Sequence, residues 1–251
     1  MAKKDVSPVF GEQNAVMTPK ADDTRIVLNL LGATSVGKGY IQKQVCLYFK
    51  IAYGLIVDVI GTGDEIRKRF LTDPDFKEEW EPVVSSGDPL PDRIMIPMFD
   101  KMYYEGPNNG FLLVNDGFLR NTDQVIHAGE LGLMGENSIS VRLLASRKTC
   151  LDRAIHRAAN KIGGLRVDAE SFDKRFEADQ KAADSIRACI IQKTKSQFIH
   201  TNANGNLGDV SCDVLSFVGC KIANLKIQLP NIKELKLPLL RPSAIPDAIL
   251  V

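Results

Sequence analysis

The chain has 251 residues, 44% hydrophobic and 25% charged, with 32 Lys and Arg against 31 Asp and Glu and a formal net charge of +1. That length and mixture suit one large soluble globular domain, or a core with small inserts. The charge balance offers no basic surplus for nucleic acid or an anionic membrane. No apolar run approaches a membrane span, and Met1-Ala2-Lys3-Lys4-Asp5 lacks the apolar core of a secretory signal. Cys46, Cys150, Cys189, Cys212 and Cys220 are odd in number and include no Cys-x-x-Cys pair. They read as reduced, mostly core thiols in a cytoplasmic protein, not as disulfides or a zinc site.

In chain order, Met1 to Asp23 is polar and irregular, and residues 1–24 are expected to form a loose arm. Arg25-Ile26-Val27-Leu28-Asn29-Leu30 predicts a buried parallel strand, and Ile41 to Lys50 a helix. Between them lies Leu31-Gly32-Ala33-Thr34-Ser35-Val36-Gly37-Lys38-Gly39-Tyr40. A glycine-bearing turn from strand to helix, closed by a lysine, suits a phosphate. Its N–H groups point at the oxygens, the helix N-terminus adds partial positive charge, and Lys38 reaches the β- and γ-phosphates. The spacing Gly32-xxxx-Gly37-Lys38 fits the P-loop pattern, with Gly39 where most P-loops place the Ser or Thr that meets magnesium.

Leu55-Ile56-Val57-Asp58-Val59-Ile60 predicts the second strand, ending in Gly61-Thr62-Gly63-Asp64. Helices are expected over Glu65 to Leu71, Phe76 to Val84 and, after the break Gly87-Asp88-Pro89-Leu90-Pro91, Asp92 to Tyr104. Gly110 to Val114 and Ser138 to Leu144 are the third and fourth strands, with a helix near Asp123 to Leu131 between them. The pattern is then helical from Lys148 to about Ala159 and from Leu165 to Lys193. Ser196 to His200 gives a fifth strand and Val210 to Val218 a closing helix. Alternating strands and helices predict an α/β fold, a five-stranded parallel sheet with helices on both faces. Ligands of such sheets sit beyond the strand C-terminal ends. The glycine loop, Thr62-Gly63-Asp64 and Asp116 all fall there.

Further motifs carry a resemblance. Gly61-Thr62-Gly63-Asp64-Glu65-Ile66-Arg67 resembles the Ser-Thr-Gly-Asp-x-x-Arg segment of adenylate kinases, and Gly87-Asp88-Pro89-Leu90-Pro91-Asp92 their Gly-x-Leu-Val-Pro-Asp turn. Asp116-Gly117-Phe118-Leu119-Arg120-Asn121-Thr122-Asp123-Gln124 is similar to Asp-Gly-Phe-Pro-Arg-Thr-x-x-Gln. Asp152-Arg153-Ala154-Ile155-His156-Arg157 looks like the Asp-Arg-x-x-x-Arg before the lid of that family. Arg166-Val167-Asp168-Ala169 and then Lys174-Arg175-Phe176 look like the segment after it. The motifs come in family order from Arg25 to Val218. The chain therefore resembles the adenylate kinase family of nucleoside monophosphate kinases, in its short-lid branch and with a divergent P-loop.

That resemblance implies a P-loop nucleoside triphosphate hydrolase-like fold and transfer of the terminal phosphoryl of ATP to AMP, giving two ADP, in adenine nucleotide homeostasis. Bringing two nucleotides together concentrates negative charge, so catalysis is mainly positioning and neutralisation. By resemblance, ATP meets Gly32, Ser35, Val36, Gly37, Lys38, Gly39 and Tyr40, with Arg153 against the base and Arg157 at the phosphates. AMP meets Thr62, Arg67, Asp88, Pro89, Leu90, Gly117, Arg120, Gln124, Arg166 and Arg175. Lys38, Arg120, Arg157, Arg166 and Arg175 close on the migrating group, since a guanidinium forks onto phosphate oxygens. Asp116 steers Mg2+ through water. Gln124 offers the donor and acceptor that an adenine edge requires.

The implied domains are the arm 1–24, a kinase domain 25–220 with mobile monophosphate-binding (61–90) and lid (158–165) segments, and an extension 221–251. Implied partners are ATP and AMP with ADP as product, to a cytoplasmic monomer that touches neither nucleic acid nor membrane. The tail, with Leu225, Ile227, Leu229, Ile232, Leu235 and Leu237, either folds back or meets a protein. Ala33, Thr34 and Ser35 replace the family's Pro-Pro-Gly type of loop, Tyr40 replaces Thr, Leu119 replaces Pro and Ala169 a carboxylate. A UMP/CMP-type kinase, to which Asn121 points, and a degenerate kinase fold acting as a nucleotide-binding or interaction protein are the alternatives.

Overall fold

A computed structural model describes residues 25–106, 110–159 and 168–224. The arm, lid residues 160–165 with Arg166, and the extension from 225 onward lie outside the described residues. In chain order the elements are β1 (Ile26–Gly32), α1 (Lys38–Tyr53), β2 (Val57–Gly61), α2 (Thr62–Thr72), α3 (Pro74–Ser85), α4 (Asp92–Glu105) and β3 (Leu112–Asp116). Then follow α5 (Thr122–Glu130), β4 (Ser138–Leu144), α6 (Arg147–Ala159), α7 (Ala169–Lys193), β5 (Gln197–Asn202) and α8 (Leu207–Asn224). The closing helix thus continues to Asn224, so the first four residues of the expected extension belong to the domain.

The sheet has the order β2-β3-β1-β4-β5 and every pairing is parallel. Parallel strands are covered on both faces, which is why β1 and β4 are almost continuously buried and read as apolar runs. Side chains alternate between two cores. Ile26, Leu28 and Leu30 join Phe49 of α1 and Val214 and Val218 of α8. Val27 and Leu31 join Phe99 of α4, Val125 of α5 and Ile190 of α7 on the other face. Each such fully buried side chain contributes about 1.5–3 kcal/mol. No helix among the described residues is long and apolar enough to cross a membrane.

The third strand lies two residues later than the apolar run suggests, from Leu112 rather than Gly110. Gly110 instead makes a close approach to β2: a Cβ there would come within 2.8 Å of the Asp58 nitrogen and 2.9 Å of the Ile56 oxygen. This shift puts Asp116 at the end of β3, in register with Leu30 of β1 and Gly61 of β2. β1 likewise runs on to Gly32, opposite Leu143. Three strand ends therefore meet at one rim of the sheet. Phe118 fixes the turn after Asp116, fully buried and stacked on Phe99 with 3.7 Å between ring centroids.

Candidate active site

The glycine loop spans the gap between β1 and α1. Gly32 has φ +130 and Gly37 φ +116; a Cβ on either would stand 2.6 Å from the Leu143 oxygen or the Leu207 side chain, respectively. Both positions require glycine. Ser35 adopts φ 58, the left-handed region, at a cost on the order of 1 kcal/mol. The first turn of α1 has no side-chain cap and no acidic residue, leaving its N-terminus free for an anion. The Tyr40 N–H donates to the Gly37 oxygen at 3.0 Å, so that amide is used within the turn, and the Tyr40 ring is exposed.

Lys38 folds back over the loop, donating to the Gly32 oxygen at 2.7 Å and the Ala33 oxygen at 3.1 Å. Burial pushes its pKa down, against the pull of Asp116 and Asp179. Asp116 stands over the same helix turn: a Cβ on Gly39 would lie 3.8 Å from its Oδ2. Burial pushes the Asp116 carboxyl up, opposed by Lys38, Arg120 and Arg67.

Arginines surround this pair. Arg153 donates to the Val36 oxygen at 2.7 Å and the Gly205 oxygen at 2.9 Å, and Arg157 to Ser35 Oγ at 3.1 Å. Arg120 donates through Nε to the Gly117 oxygen at 2.9 Å. Arg175 donates to the Val84 oxygen, and Arg67 pairs with Asp64. Burial, then the charges of Arg120 and Arg157, lower the Arg175 pKa. Such mutual repulsion is what a bound polyanion relieves. Of the residues expected to close on phosphate, Lys38 and Arg157 touch the loop, Arg120 lines the cavity with Lys38, and Arg175, bonded to Val84, feels the charges of Arg120 and Arg157. Arg166 lies outside the described residues.

On the expected acceptor side, Thr62 opens α2 and is buried against Gly117, whose φ is +93 and whose Cβ would lie 3.0 Å from Thr62 Oγ1. Lys174 of α7 donates to Asp88 at 2.7 Å and holds its carboxyl below the ordinary range. A Cβ on Gly87 would stand 2.5 Å from the Ser171 oxygen, so residues 84–88 rest directly on the start of α7. Leu90 is buried and Pro89 exposed beside this turn. Gln124 departs from the expectation that it offers a free donor and acceptor. It is buried at 2% exposure, accepts from the Arg120 N–H at 2.9 Å and donates to Asp92 Oδ1 at 2.7 Å. Both ends of its amide are satisfied within the protein.

Three further residues belong to the site, and only Asp92 lies in a motif, at the end of the Gly87-Asp88-Pro89-Leu90-Pro91-Asp92 turn. Asp92 also accepts from Asn121 at 3.1 and 2.9 Å. Asp179 of α7 accepts from the Thr34 N–H at 2.9 Å, with its other oxygen 3.6 Å from Arg120. Arg142 of β4, 8% exposed, donates to Gln180 at 3.3 Å. A cavity of about 30 Å³ lies among Lys38, Gly117, Arg120, Arg142, Asp179 and Phe198. Arg142 had a signal, as the lone charge in its strand, whereas Asp179, one helical turn beyond Arg175, shares its pattern with a solvated helix face.

A magnesium ion fits the donor set. Asp116, with Asp64 acting on it electrostatically, supplies hard oxygen at the loop's edge. Magnesium in nucleotide sites takes one or two carboxylates and fills its shell with water and phosphate oxygens. No group of three or more His, Cys, Asp and Glu that could cage a metal occurs among the described residues.

No protein-family model matches the chain. It is 33% identical over 140 residues to an adenylate kinase of Acidothermus cellulolyticus, covering 51% of this chain and 61% of that protein. It is 28% identical over 145 residues to a probable chloroplastic adenylate kinase 6 of Oryza sativa subsp. japonica, covering 57% and 48%. An adenylate kinase of Borrelia garinii subsp. bavariensis is 35% identical over 98 residues, 39% of this chain and 43% of that protein. The chain spans about half the length of the curated relatives it matches. In structure it is similar to a gluconokinase from Sinorhizobium meliloti 1021, with a TM-score of 0.53 at 15% identity, over 82% of this chain and 98% of that one. The matched part of the chain is similar in sequence to adenylate kinases, and the chain has an α/β fold of the P-loop nucleoside triphosphate hydrolase-like class.

Proposed function

We propose that this chain is a nucleoside monophosphate kinase of the adenylate kinase type, moving the terminal phosphoryl of ATP to AMP. The observation that carries the reading is that Lys38, Arg120 and Arg157 stand about an uncapped helix N-terminus with Asp116 at its edge, and Arg175 is electrostatically coupled to Arg120 and Arg157. Sequence relatedness to adenylate kinases agrees with it.

In this reading Lys38 leaves the Gly32 and Ala33 carbonyls for the donor phosphates, joining the first-turn amides of α1. Arg153 and the Gly205 turn border the donor base. Arg67 and Arg120 take the acceptor phosphate, and Arg157 and Arg175 neutralise charge on the group in flight. Asp116 would hold magnesium, which when bound would supply charge neutralisation to the phosphates. Arg157 and Arg175 leave a hydroxyl and a backbone oxygen for phosphate, a stronger charge-assisted partner, while Arg67 exchanges the Asp64 carboxylate for it.

The engagement of Gln124 with Asp92 favours a second reading, a monophosphate kinase with a different or looser choice of acceptor base. A coupled assay for diphosphate formation, offering AMP, UMP, CMP and GMP separately with ATP and magnesium, decides between them. Transfer to AMP well above the others supports the first reading. Comparable or higher transfer to UMP or CMP supports the second. ATP binding without transfer to any acceptor removes both.

A further inference from the structure

Residues 34 and 35 of the loop are each held by a side chain from a different helix. The Thr34 N–H donates to Asp179 Oδ2 from α7, and Arg157 of α6 donates to Ser35 Oγ. Between Gly32 and Gly37 the sequence is Ala33-Thr34-Ser35-Val36, with no proline to set φ, and Ser35 is the non-glycine residue at positive φ. The loop's shape therefore depends on contacts made to it. Lys38 supplies two more, to the Gly32 and Ala33 oxygens.

These holds differ in what phosphate does to them. Lys38 and Arg157 are cations and are drawn away when a polyanion arrives. Asp179 is an anion and is not. Its side chain is only 17% exposed, and its charge bears on Lys38, Arg142 and Arg175 as well as Arg120. Thr34 precedes the uncapped first turn of α1, and its amide is taken by Asp179.

We propose that Asp179 is a positioning residue that keeps the nucleotide loop in shape through the Thr34 amide while Lys38 and Arg157 move to phosphate. The role in turnover rests on the phosphotransfer reading above; the hold on the loop does not. Because a carbonyl oxygen accepts the same hydrogen bond, Asn serves at this position where Ala does not. The electrostatic alternative, in which the carboxylate merely competes with phosphate, makes the opposite prediction for both variants.

The test compares Asp179→Ala and Asp179→Asn with the parent, and Asp179→Leu if the alanine variant does not fold. Hydrogen exchange of the Thr34 amide, ATP affinity and steady-state kinetics are measured on each. Loss of the bond is expected to speed Thr34 exchange by about 10-fold and to lower kcat/KM for ATP by a similar factor, with KM for the acceptor within about 2-fold. The asparagine variant recovers most of both losses. Unchanged Thr34 exchange in the alanine or leucine variant, equal impairment of Asn and Ala, or tighter ATP binding in both overturns the proposal. If the parent protein transfers phosphoryl to none of the four monophosphates, the kinase reading falls, and Thr34 exchange with ATP affinity still decides the role of Asp179.

Discussion

Gln124 donates to Asp92 at 2.7 Å, so the side chain expected to read a base is bonded within the protein. Its other end accepts from the Arg120 N–H at 2.9 Å and thereby shapes the turn that presents the Arg120 guanidinium. Reading an adenine edge would require Gln124 to exchange Asp92 for the nucleotide.

Gln124→Ala should therefore act twice. It strands the part-buried Arg120 N–H and the Asp92 carboxylate, costing about 1–3 kcal/mol of stability. In the proposed function it also raises KM for AMP much more than KM for ATP. Thermal unfolding and two-substrate kinetics separate the effects. A fall in melting temperature with the AMP and ATP constants rising together would leave Gln124 as a structural tie alone.

The second prediction concerns Lys38 and Asp116, whose charges the fold disfavours. Burial lowers the pKa of Lys38 and raises that of Asp116. For Asp116 the folded value lies above the unfolded one. The destabilising contribution is absent below an ordinary carboxylate pKa of about 4 and grows as pH rises through the raised folded value. For Lys38 the folded value lies below the unfolded one, so its contribution is present at neutral pH and disappears at high pH. Lys38→Met and Asp116→Asn should each raise the urea midpoint near neutrality while abolishing most turnover. The gain for Asp116→Asn should vanish on acidification toward pH 4. A gain that is constant across pH would assign it to packing.

How far the sequence reaches is uneven. Parallel strands buried on both faces announce themselves as apolar runs, so β4 is legible to the residue and β1 nearly so. Boundaries slip where glycine lets two backbones approach, as Gly110 does beside Asp58. The loop and its arginines are legible because they lie in short local motifs. Long-range pairings are not: Asp92 is 32 residues from Gln124, and Asp179 is 145 from Thr34. Within Glu177-Ala178-Asp179-Gln180-Lys181 nothing in the local pattern sets one carboxylate apart from a solvated helix face.

Arg175 gives the third prediction. It lies on α7 one turn before Asp179 and donates to the Val84 oxygen, joining that helix to the segment 61–90. Arg175→Ala should lower kcat by about 10³-fold, with ATP affinity nearly intact. An interaction made mainly in the transition state has that signature. Arg175→Lys keeps the charge but not the planar fork, and should recover only part of the loss. An equal loss of ATP affinity would place Arg175 in ground-state binding.

The last prediction lies at the other end of the sheet. Arg25 precedes β1 and reaches past the start of β3 to Asp58 on β2, an ion pair with side chains 10% and 3% exposed. Asp58 also accepts from the Gly110 N–H at 2.9 Å, the point where the chain enters β3 too close to β2 for any side chain. One carboxylate thus ties three strands at their N-terminal ends, away from the rim that carries the loop. Burial lowers the Arg25 pKa and the Asp58 charge opposes that shift, so the carboxylate offsets part of the cost of holding the guanidinium there. Asp58→Ala leaves a buried cation and an unpaired amide, and should cost about 3–5 kcal/mol. Asp58→Asn keeps an acceptor for Gly110 and should cost less. Because the pair is remote from the loop, kcat and KM of the folded fraction should match the parent at a temperature below both melting transitions. A change in kcat without a change in stability would mean that the two ends of the sheet are coupled through β3, and that Asp58 helps to set where Asp116 stands.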